Sequence, residues 1–245
     1  MHEVANKVTV ITGASRGIGE ATARRLGADG ARLVLGARVV APLEALASEL
    51  QSAGIDVAWV ATDVTSPTDV ASLIEVAHGT FGPIDVLINN AGVMPQAPMD
   101  ALRLDEWNQM VDINIKGVLN GVAAVLPDMR RRDAGHIVNL GSVAGHKVFP
   151  GAVVYCASKF AVRAITEGLR QEVGPNIRVT LVSPGLVATS ITETTGHAET
   201  RDMLEERYEI AISPTAVADA IAYAVSQPPE VDINDIILRP TAQAH

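Results

Sequence analysis

The hydrophobic positions of this chain follow two alternating patterns. Short runs rich in β-branched residues, such as Val8 to Thr12 and Arg32 to Ala37, are each followed by a longer segment in which apolar residues recur at helical spacing. The longer segments run from Gly17 to Asp29 and from Ala41 to Ala53. Because short apolar runs favour strands and the helical period favours helices, the chain is predicted to begin β-α-β-α.

The alternation continues along the sequence. Further strands are predicted near Val57 to Ala61, Val86 to Asn89, Ile137 to Leu140, Val179 to Val182 and Asp235 to Leu238, and further helices near Thr68 to Phe81, Asp105 to Arg131, Ala152 to Glu172 and Thr215 to Val225. Strands this apolar are covered on both faces, which favours a parallel sheet. The predicted class is α/β: a doubly wound Rossmann fold with a mainly parallel seven-stranded sheet, helices on both faces and a ligand crevice at the carboxyl ends of the strands.

One stretch, Leu186 to Arg207, interrupts this alternation. Its threonine-rich start, Thr189 to Gly196, does not suit the core of a strand, and a short helix is predicted after it. We interpret residues 186–207 as a mobile flap over the crevice. Because the sequence shows no repeat or low-complexity linker, residues 1–245 are predicted to form one dinucleotide-binding and catalytic domain.

Composition limits the partners of the protein. Its 245 residues carry a formal net charge of -9, which disfavours nucleic acid and anionic membranes because both bind basic surfaces. The sequence has neither a signal-like start nor a run of about 18 apolar residues, so a cytoplasmic protein is expected. A single cysteine, Cys156, excludes an intramolecular disulfide, and the six histidines lack metal-ligand spacing, so no metal site is predicted.

A glycine-rich turn joins the first strand to the first helix, in the sequence Gly13-Ala14-Ser15-Arg16-Gly17-Ile18-Gly19. Gly13 and Gly17 let the backbone approach a pyrophosphate, Gly19 allows close helix packing, and the helix N-terminus offers free N–H groups. The spacing Gly-x-x-x-Gly-x-Gly differs from the commoner dinucleotide fingerprint. An ordinary turn that happens to be glycine-rich is the alternative.

Two arginines bear on the choice of nicotinamide cofactor. The second strand ends in Leu35-Gly36-Ala37-Arg38, without the carboxylate that usually binds the adenosine ribose of NAD. Arg38 and Arg16 could instead clamp a 2′-phosphate, since guanidinium matches phosphate in a bidentate way. The alternative is a pair of solvated surface arginines, but the pattern favours NADP(H) over NAD(H).

The candidate proton-transfer group is Tyr155 with Lys159, four residues apart and therefore neighbours on one face of a predicted helix. A nearby positive charge favours tyrosinate, and the lysine could also hold the nicotinamide ribose. Ser142, at the end of a predicted strand, could return its hydroxyl to the same crevice. The alternatives are an exposed helix contact for Tyr155 and Lys159 and a turn cap for Ser142. The neighbouring Cys156 is predicted to be a packed thiol and not a nucleophile, because one helix step turns it away from Tyr155 and no histidine is positioned to activate it.

These motifs together resemble the short-chain dehydrogenase/reductase family along nearly the whole chain. The residues that carry the resemblance are Thr12 to Gly19, Asn89-Asn90-Ala91-Gly92, Asn114, Ser142, Tyr155, Lys159 and Pro184-Gly185. The resemblance implies that Tyr155 is the acid in reduction and the base in oxidation, and that Ser142 orients the substrate oxygen. It further implies that Lys159 tunes Tyr155 and binds ribose, and that Asn114 supports a water-linked proton relay.

The resemblance also implies a set of cofactor contacts. Asp63 and Val64 are expected to contact adenine, and Asn90 and Gly92 to line the cofactor. The full expected set is Gly13, Ser15, Arg16, Gly17, Ile18, Gly19, Arg38, Asp63, Val64, Asn90, Gly92, Tyr155, Lys159, Pro184, Gly185, Val187 and Thr189. Residues that could line the substrate pocket, Met94, Gln96, His146, Lys147 and Phe149, are not placed by the sequence.

The resulting hypothesis is an NADP(H)-dependent carbonyl reductase or alcohol dehydrogenase acting on a small ketone, aldehyde or secondary alcohol. One alternative is a non-enzymatic NADP(H) sensor or scaffold, because fold does not fix function. Another is an epimerase or dehydratase on the same fold. The two long helices, Asp105 to Arg131 and Ala152 to Glu172, resemble those that pair subunits in this family, so a homodimer or homotetramer is expected.

Overall fold

A single parallel sheet organises the computed structural model, which describes residues 4–243. Its seven strands lie in the order β3-β2-β1-β4-β5-β6-β7, and every neighbouring pair is parallel. The strands are β1 (Val8–Thr12), β2 (Arg32–Ala37), β3 (Val57–Ala61), β4 (Val86–Asn89), β5 (Gly135–Leu140), β6 (Ile177–Pro184) and β7 (Asp235–Leu238). The predicted doubly wound fold is therefore confirmed, with β5 and β6 longer than predicted.

Helices cover both faces of this sheet. They are α1 (Gly17–Ala28), α2 (Val40–Ser52), α3 (Pro67–Phe81), α4 (Leu104–Met110), α5 (Gly117–Arg132), α6 (Val153–Glu172), α7 (Ala198–Arg207) and α8 (Pro214–Val225). Helices α1, α2 and α8 bury Leu26, Leu43 and Ile221 on one face. Helices α3, α5 and α6 bury Leu73 and other apolar residues on the opposite face. The two apolar layers hold the sheet rigid, so its carboxyl edge can position side chains.

The prediction of one continuous α-helix from Asp105 to Arg131 is wrong in one respect. The structure divides it into α4 and α5, joined by a π-helical segment, Val111–Lys116. By length and composition the whole stretch, Leu104–Arg132, could cross a membrane. In this fold, however, its α5 part packs on the sheet. A π-helical turn holds one extra residue and frequently marks a functional site. Here the π-helical segment buries Ile113 and Asn114.

The predicted flap contains two short elements. A 3₁₀ turn, Ser190–Thr194, is followed by α7. The Met94 N–H donates to Thr194 Oγ1 at 3.0 Å, and Thr195 Oγ1 donates to the Met94 carbonyl at 3.2 Å. Two side-chain hydrogen bonds therefore dock the segment onto the loop after β4, and its mobility stays a prediction.

Candidate active site

A cavity of about 240 Å³ opens at the carboxyl edge of the sheet. The residue directly after each of β1 to β6 contributes to its wall, as a doubly wound fold predicts. Most of the predicted site residues line it: Gly13, Ser15, Arg16, Gly17, Ile18, Arg38, Val64, Asn90, Gly92, Ser142, Tyr155, Lys159, Pro184, Gly185, Val187 and Thr189. Three predicted residues, Gly19, Asp63 and Asn114, are not part of the wall. The fold thus gathers motifs that are far apart in sequence into one cavity.

The catalytic candidates meet at the ends of β5 and α6. Tyr155 and Lys159 are both buried on α6, and the lysine Nζ lies 6.0 Å from the centroid of the tyrosine ring. Lys159 Nζ donates to the Leu140 carbonyl at 2.8 Å, which fixes it against the end of β5. The Ser142 hydroxyl is hydrogen-bonded to Tyr155 and accepts the Ala144 N–H at 3.1 Å. Ser142 therefore caps a turn and also faces the tyrosine.

Burial sets the protonation of this group. Burial raises the pKa of Tyr155 to about 12, against the opposing effect of the Ser142 hydrogen bond. Burial also lowers the pKa of Lys159 to about 8. Contrary to the expectation that the lysine charge favours tyrosinate, desolvation of the Tyr155 hydroxyl is the larger effect here. Tyr155 is therefore a protonated hydroxyl at neutral pH, ready to donate a proton.

Asn114 lies behind the cavity wall, in the π-helical segment. Its side-chain oxygen accepts the Val93 N–H at 2.9 Å, and its Nδ2 donates to the Val93 carbonyl at 2.9 Å and to Ser158 Oγ at 3.0 Å. These contacts tie the loop after β4 to α6, which carries Tyr155. Asn114 thus positions the two walls of the cavity, and its part in a proton relay stays a prediction.

The glycine turn has the backbone shape that a phosphate requires. Gly13 and Gly17 have φ angles of 65° and 60°, a region that favours glycine. A Cβ on Gly19 would lie 2.3 Å from the Gly13 carbonyl oxygen, so this glycine allows the close packing expected of it. Asn90 Nδ2 donates to the carbonyls of Thr12 and Gly13 at 2.9 Å and 3.0 Å and holds the turn in place.

Of the two arginines, Arg16 belongs to this turn and Arg38 follows β2. Arg16 is exposed and its Nη1 lies 3.6 Å from the Glu193 carboxylate of the flap. Arg38 is exposed directly after β2 and lines the cavity. Asp63, expected at the adenine, uses its carboxylate on the N–H and hydroxyl of Thr65 at 2.9 Å and 2.8 Å. The part of the cavity next to the glycine turn and the end of β2 therefore presents cations, and the Asp63 side chain is engaged in a turn.

Several wall residues had no signal in the sequence. Leu204, Arg207 and Tyr208 reach the cavity from the flap region, and Gln243 reaches it from the C-terminal tail. Gln243 Oε1 accepts the Leu186 N–H at 3.0 Å and so supports the segment after β6. The sequence of α7 is mostly polar, and such a pattern does not indicate that the helix packs over a cavity formed by distant segments of the chain.

The loop residues that the sequence did not place now divide into two groups. Met94, Gln96 and Phe149 line the cavity. His146 faces away from it and shares a 3.0 Å hydrogen bond with Ser183 Oγ, and Lys147 is exposed outside the wall. The part of the cavity lined by Met94 and Phe149 is therefore largely apolar.

Two other chemistries find little support. Within residues 4–243, no three histidine, cysteine or acidic side chains are grouped so that they could hold a metal ion. Cys156 is buried, and burial raises the pKa of its thiol. A thiol kept protonated is a poor nucleophile, so the packed-thiol interpretation fits Cys156 better.

Comparisons with known proteins agree with this architecture. The short chain dehydrogenase family model matches residues 7–200. An uncharacterized oxidoreductase of Staphylococcus saprophyticus is 53% identical over 247 residues, which cover 100% of both chains. An alcohol dehydrogenase of the archaeon Thermococcus sibiricus, complexed with 5-hydroxy-NADP, has a TM-score of 0.87 at 32% identity over 98% of both chains. A short chain dehydrogenase/reductase of Burkholderia phymatum in complex with NAD has a TM-score of 0.89 at 30% identity, over 97% of this chain and 90% of that one.

Proposed function

Because this chain belongs to the short-chain dehydrogenase/reductase family of oxidoreductases, we propose that it is an NADPH-dependent carbonyl reductase. It acts on a ketone or aldehyde and, in reverse, on the corresponding alcohol. The observation that carries the proposal is the burial of Tyr155, Ser142 and Lys159 in the cavity that also holds the glycine turn. Because the proton donor and the turn that would bind a dinucleotide line one cavity, this arrangement supports hydride and proton transfer to the same carbonyl group.

The residues present fit a nicotinamide dinucleotide. The N–H groups at the start of α1 and the turn at Gly13 and Gly17 would hold the pyrophosphate. Lys159 and Asn90 line the region where the nicotinamide ribose would lie, and Thr189 faces Gly17 from the flap side. When bound, the reduced cofactor supplies the hydride. The chain itself binds, orients and excludes water around the acceptor carbon.

In this mechanism the protein's part in reduction is proton donation. Ser142 holds the substrate oxygen through its hydroxyl, and Tyr155 gives its proton to that oxygen as negative charge develops there. The high pKa of Tyr155 keeps its hydroxyl protonated at neutral pH. Lys159 places a positive charge near the tyrosinate that remains, which favours its formation during the reaction.

The preference for NADPH over NADH rests on Arg16 and Arg38. Both line the cavity, Arg16 from the glycine turn and Arg38 directly after β2, where Ala37 stands in place of a ribose-binding carboxylate. A hydrogen bond to a charged group contributes about 1.5 to 3 kcal/mol. Two such contacts to a 2′-phosphate would favour NADPH by about 10²- to 10⁴-fold.

A panel of ketones and aldehydes assayed with NADPH and with NADH tests the proposal. We expect loss of reduced-cofactor absorbance with at least one neutral carbonyl compound, faster with NADPH. Arg38→Ala should raise the KM for NADPH much more than the KM for NADH, so NADH serves as the internal control. Tight NADPH binding without turnover of any carbonyl would favour a sensor, and an equal effect of Arg38→Ala on both cofactors would contradict the phosphate clamp.

We also propose that the protein is a homodimer or homotetramer. Five large apolar side chains of α4, the π-helical segment, α5 and α6 are exposed, namely Leu104, Val111, Leu119, Val153 and Phe160. Exposed apolar groups concentrated on one region of a chain are typical of subunit contacts. Light scattering coupled to gel filtration should give at least twice the chain mass, and a monomer mass at micromolar concentration would contradict this assignment.

A further inference from the structure

The cavity has an unusual charge for this protein. Although the whole chain carries a net charge of -9, the charged residues that line the cavity within residues 4–243 are all cations: Arg16, Arg38, Lys159 and Arg207. The proposed function uses the first three for the cofactor. The proposed function gives Arg207 no role, and this residue lies among apolar residues at the end of the cavity where the substrate would bind.

Arg207 lines the cavity wall and is exposed. It lies at the C-terminal end of α7, and its Cζ lies 5.4 Å from the centroid of the Phe149 ring. Among the described residues, no ion pair with a carboxylate and no hydrogen bond occupies its guanidinium. Arg103, by contrast, is paired with Glu106. Stacking on an aromatic ring orders a guanidinium without using its N–H donors. Arg207 is thus a cation that stacks on Phe149 and has donors available to a ligand.

A second donor lies next to it. The Tyr208 hydroxyl also lines the cavity, and its partner within residues 4–243 is Met94 Sδ at 3.6 Å, a weak acceptor. Burial and the nearby Tyr155 raise the pKa of Tyr208, so it keeps its proton and can donate to an anion. Phe149 and Tyr208 pack against the apolar cluster that contains Tyr155, so this part of the cavity adjoins the reacting centre.

We propose that the carbonyl substrate carries a carboxylate, bound by the Arg207 guanidinium with a hydrogen bond from the Tyr208 hydroxyl. The substrate class is then the oxo acids, and the reverse reaction would use hydroxy acids. This inference rests on the proposed reductase function and specifies what its substrate end recognises. A cationic substrate is disfavoured because Arg207 already covers Phe149 and would repel it.

Binding to the enzyme–NADP⁺ complex tests this without turnover, because NADP⁺ cannot reduce a ketone. Calorimetry would compare levulinate with methyl levulinate and acetoacetate with methyl acetoacetate, which are pairs that differ in charge. We expect each acid to bind about 10- to 100-fold more tightly than its ester, the value of one charged hydrogen bond. Arg207→Gln should remove that difference while leaving NADP⁺ affinity and the melting temperature unchanged.

Arg201→Gln is the matched control, because Arg201 is an exposed arginine of the same helix outside the cavity wall. It should keep the preference for the acids. The proposal is overturned if neither acid binds better than its ester, or if Arg207→Gln weakens acid and ester equally. Failure of the reductase function would be seen separately, as no NADPH oxidation with any carbonyl compound.

Discussion

Lys159 should make the cofactor-free protein less stable, even though the proposed activity needs its charge. Burial lowers its pKa from 10.5 to about 8, so keeping it protonated in the fold at pH 7 costs about 3 kcal/mol, at about 1.4 kcal/mol per pKa unit. Lys159→Met removes this cost but leaves the Leu140 carbonyl without its donor, a loss of about 1 to 3 kcal/mol. The variant should therefore be as stable as the parent at pH 7, or more stable by up to about 2 kcal/mol.

The pH dependence identifies the cause. Between pH 8 and 10.5 the unfolded chain holds the Lys159 proton while the folded chain has lost it, so the stability contributed by this residue rises with pH. Relative to Lys159→Met, the parent should gain up to about 3 kcal/mol in unfolding free energy as the pH passes through this range. Above about pH 8 the folded parent has an uncharged Lys159, as the variant has an uncharged methionine, so the titration of Tyr155 at higher pH is similar in both proteins and cancels in the difference.

Urea unfolding followed by circular dichroism at several pH values measures this difference. Lys147→Met makes the same chemical change at an exposed position and is the control for loss of a lysine as such. The desolvation argument would be refuted if the difference in unfolding free energy between the parent and Lys159→Met stayed constant from pH 7 to about 11. Equal pH dependence in the control would refute it as well.

Three further outcomes are expected. Tyr155→Phe should retain NADPH binding, measured by cofactor fluorescence, while kcat for reduction falls by about 10² to 10⁴; near-normal turnover would remove it from the mechanism. The kcat/KM for reduction should fall as pH rises through about 8, where Lys159 loses its charge; a profile flat to pH 10 would contradict this. Hydrogen exchange in residues 186–207 should slow when cofactor and substrate bind, and Thr195→Val should speed it without ligands; equal protection in all states would make the segment fixed.

The sequence predicts the sheet well because its strands are short, apolar and bounded by polar residues. It fails at residues 111–116, because a π-helical turn changes the hydrogen-bond ladder without changing the apolar pattern that indicates a helix. Asn114 could therefore be assigned only by family resemblance. Its contacts with Val93 and Ser158 join segments that no local pattern relates.

The candidate site likewise contains residues that the sequence could predict and residues that it could not. Gly13, Ser142 and Tyr155 could be selected because each stands in a local motif with its own chemistry. Arg207 and Gln243 could not, because they line the cavity only through the packing of a flap helix and a tail. The raised pKa of Tyr155 could not be predicted either. It depends on burial, and the spacing of tyrosine and lysine along a helix does not indicate how deeply the pair is buried.

The strand order has a consequence for how the chain folds during synthesis. Strand β1 pairs with β4, whose first paired residue, Val86, lies far along the chain from its partner Thr9. Until β4 leaves the ribosome, β1 presents an unpaired edge that can join another chain. Nascent β1-β2-β3 units should therefore aggregate when translation stalls before Val86. Expression at lower temperature or with holdase chaperones should raise the yield of native protein more than changes to the surface of the finished fold.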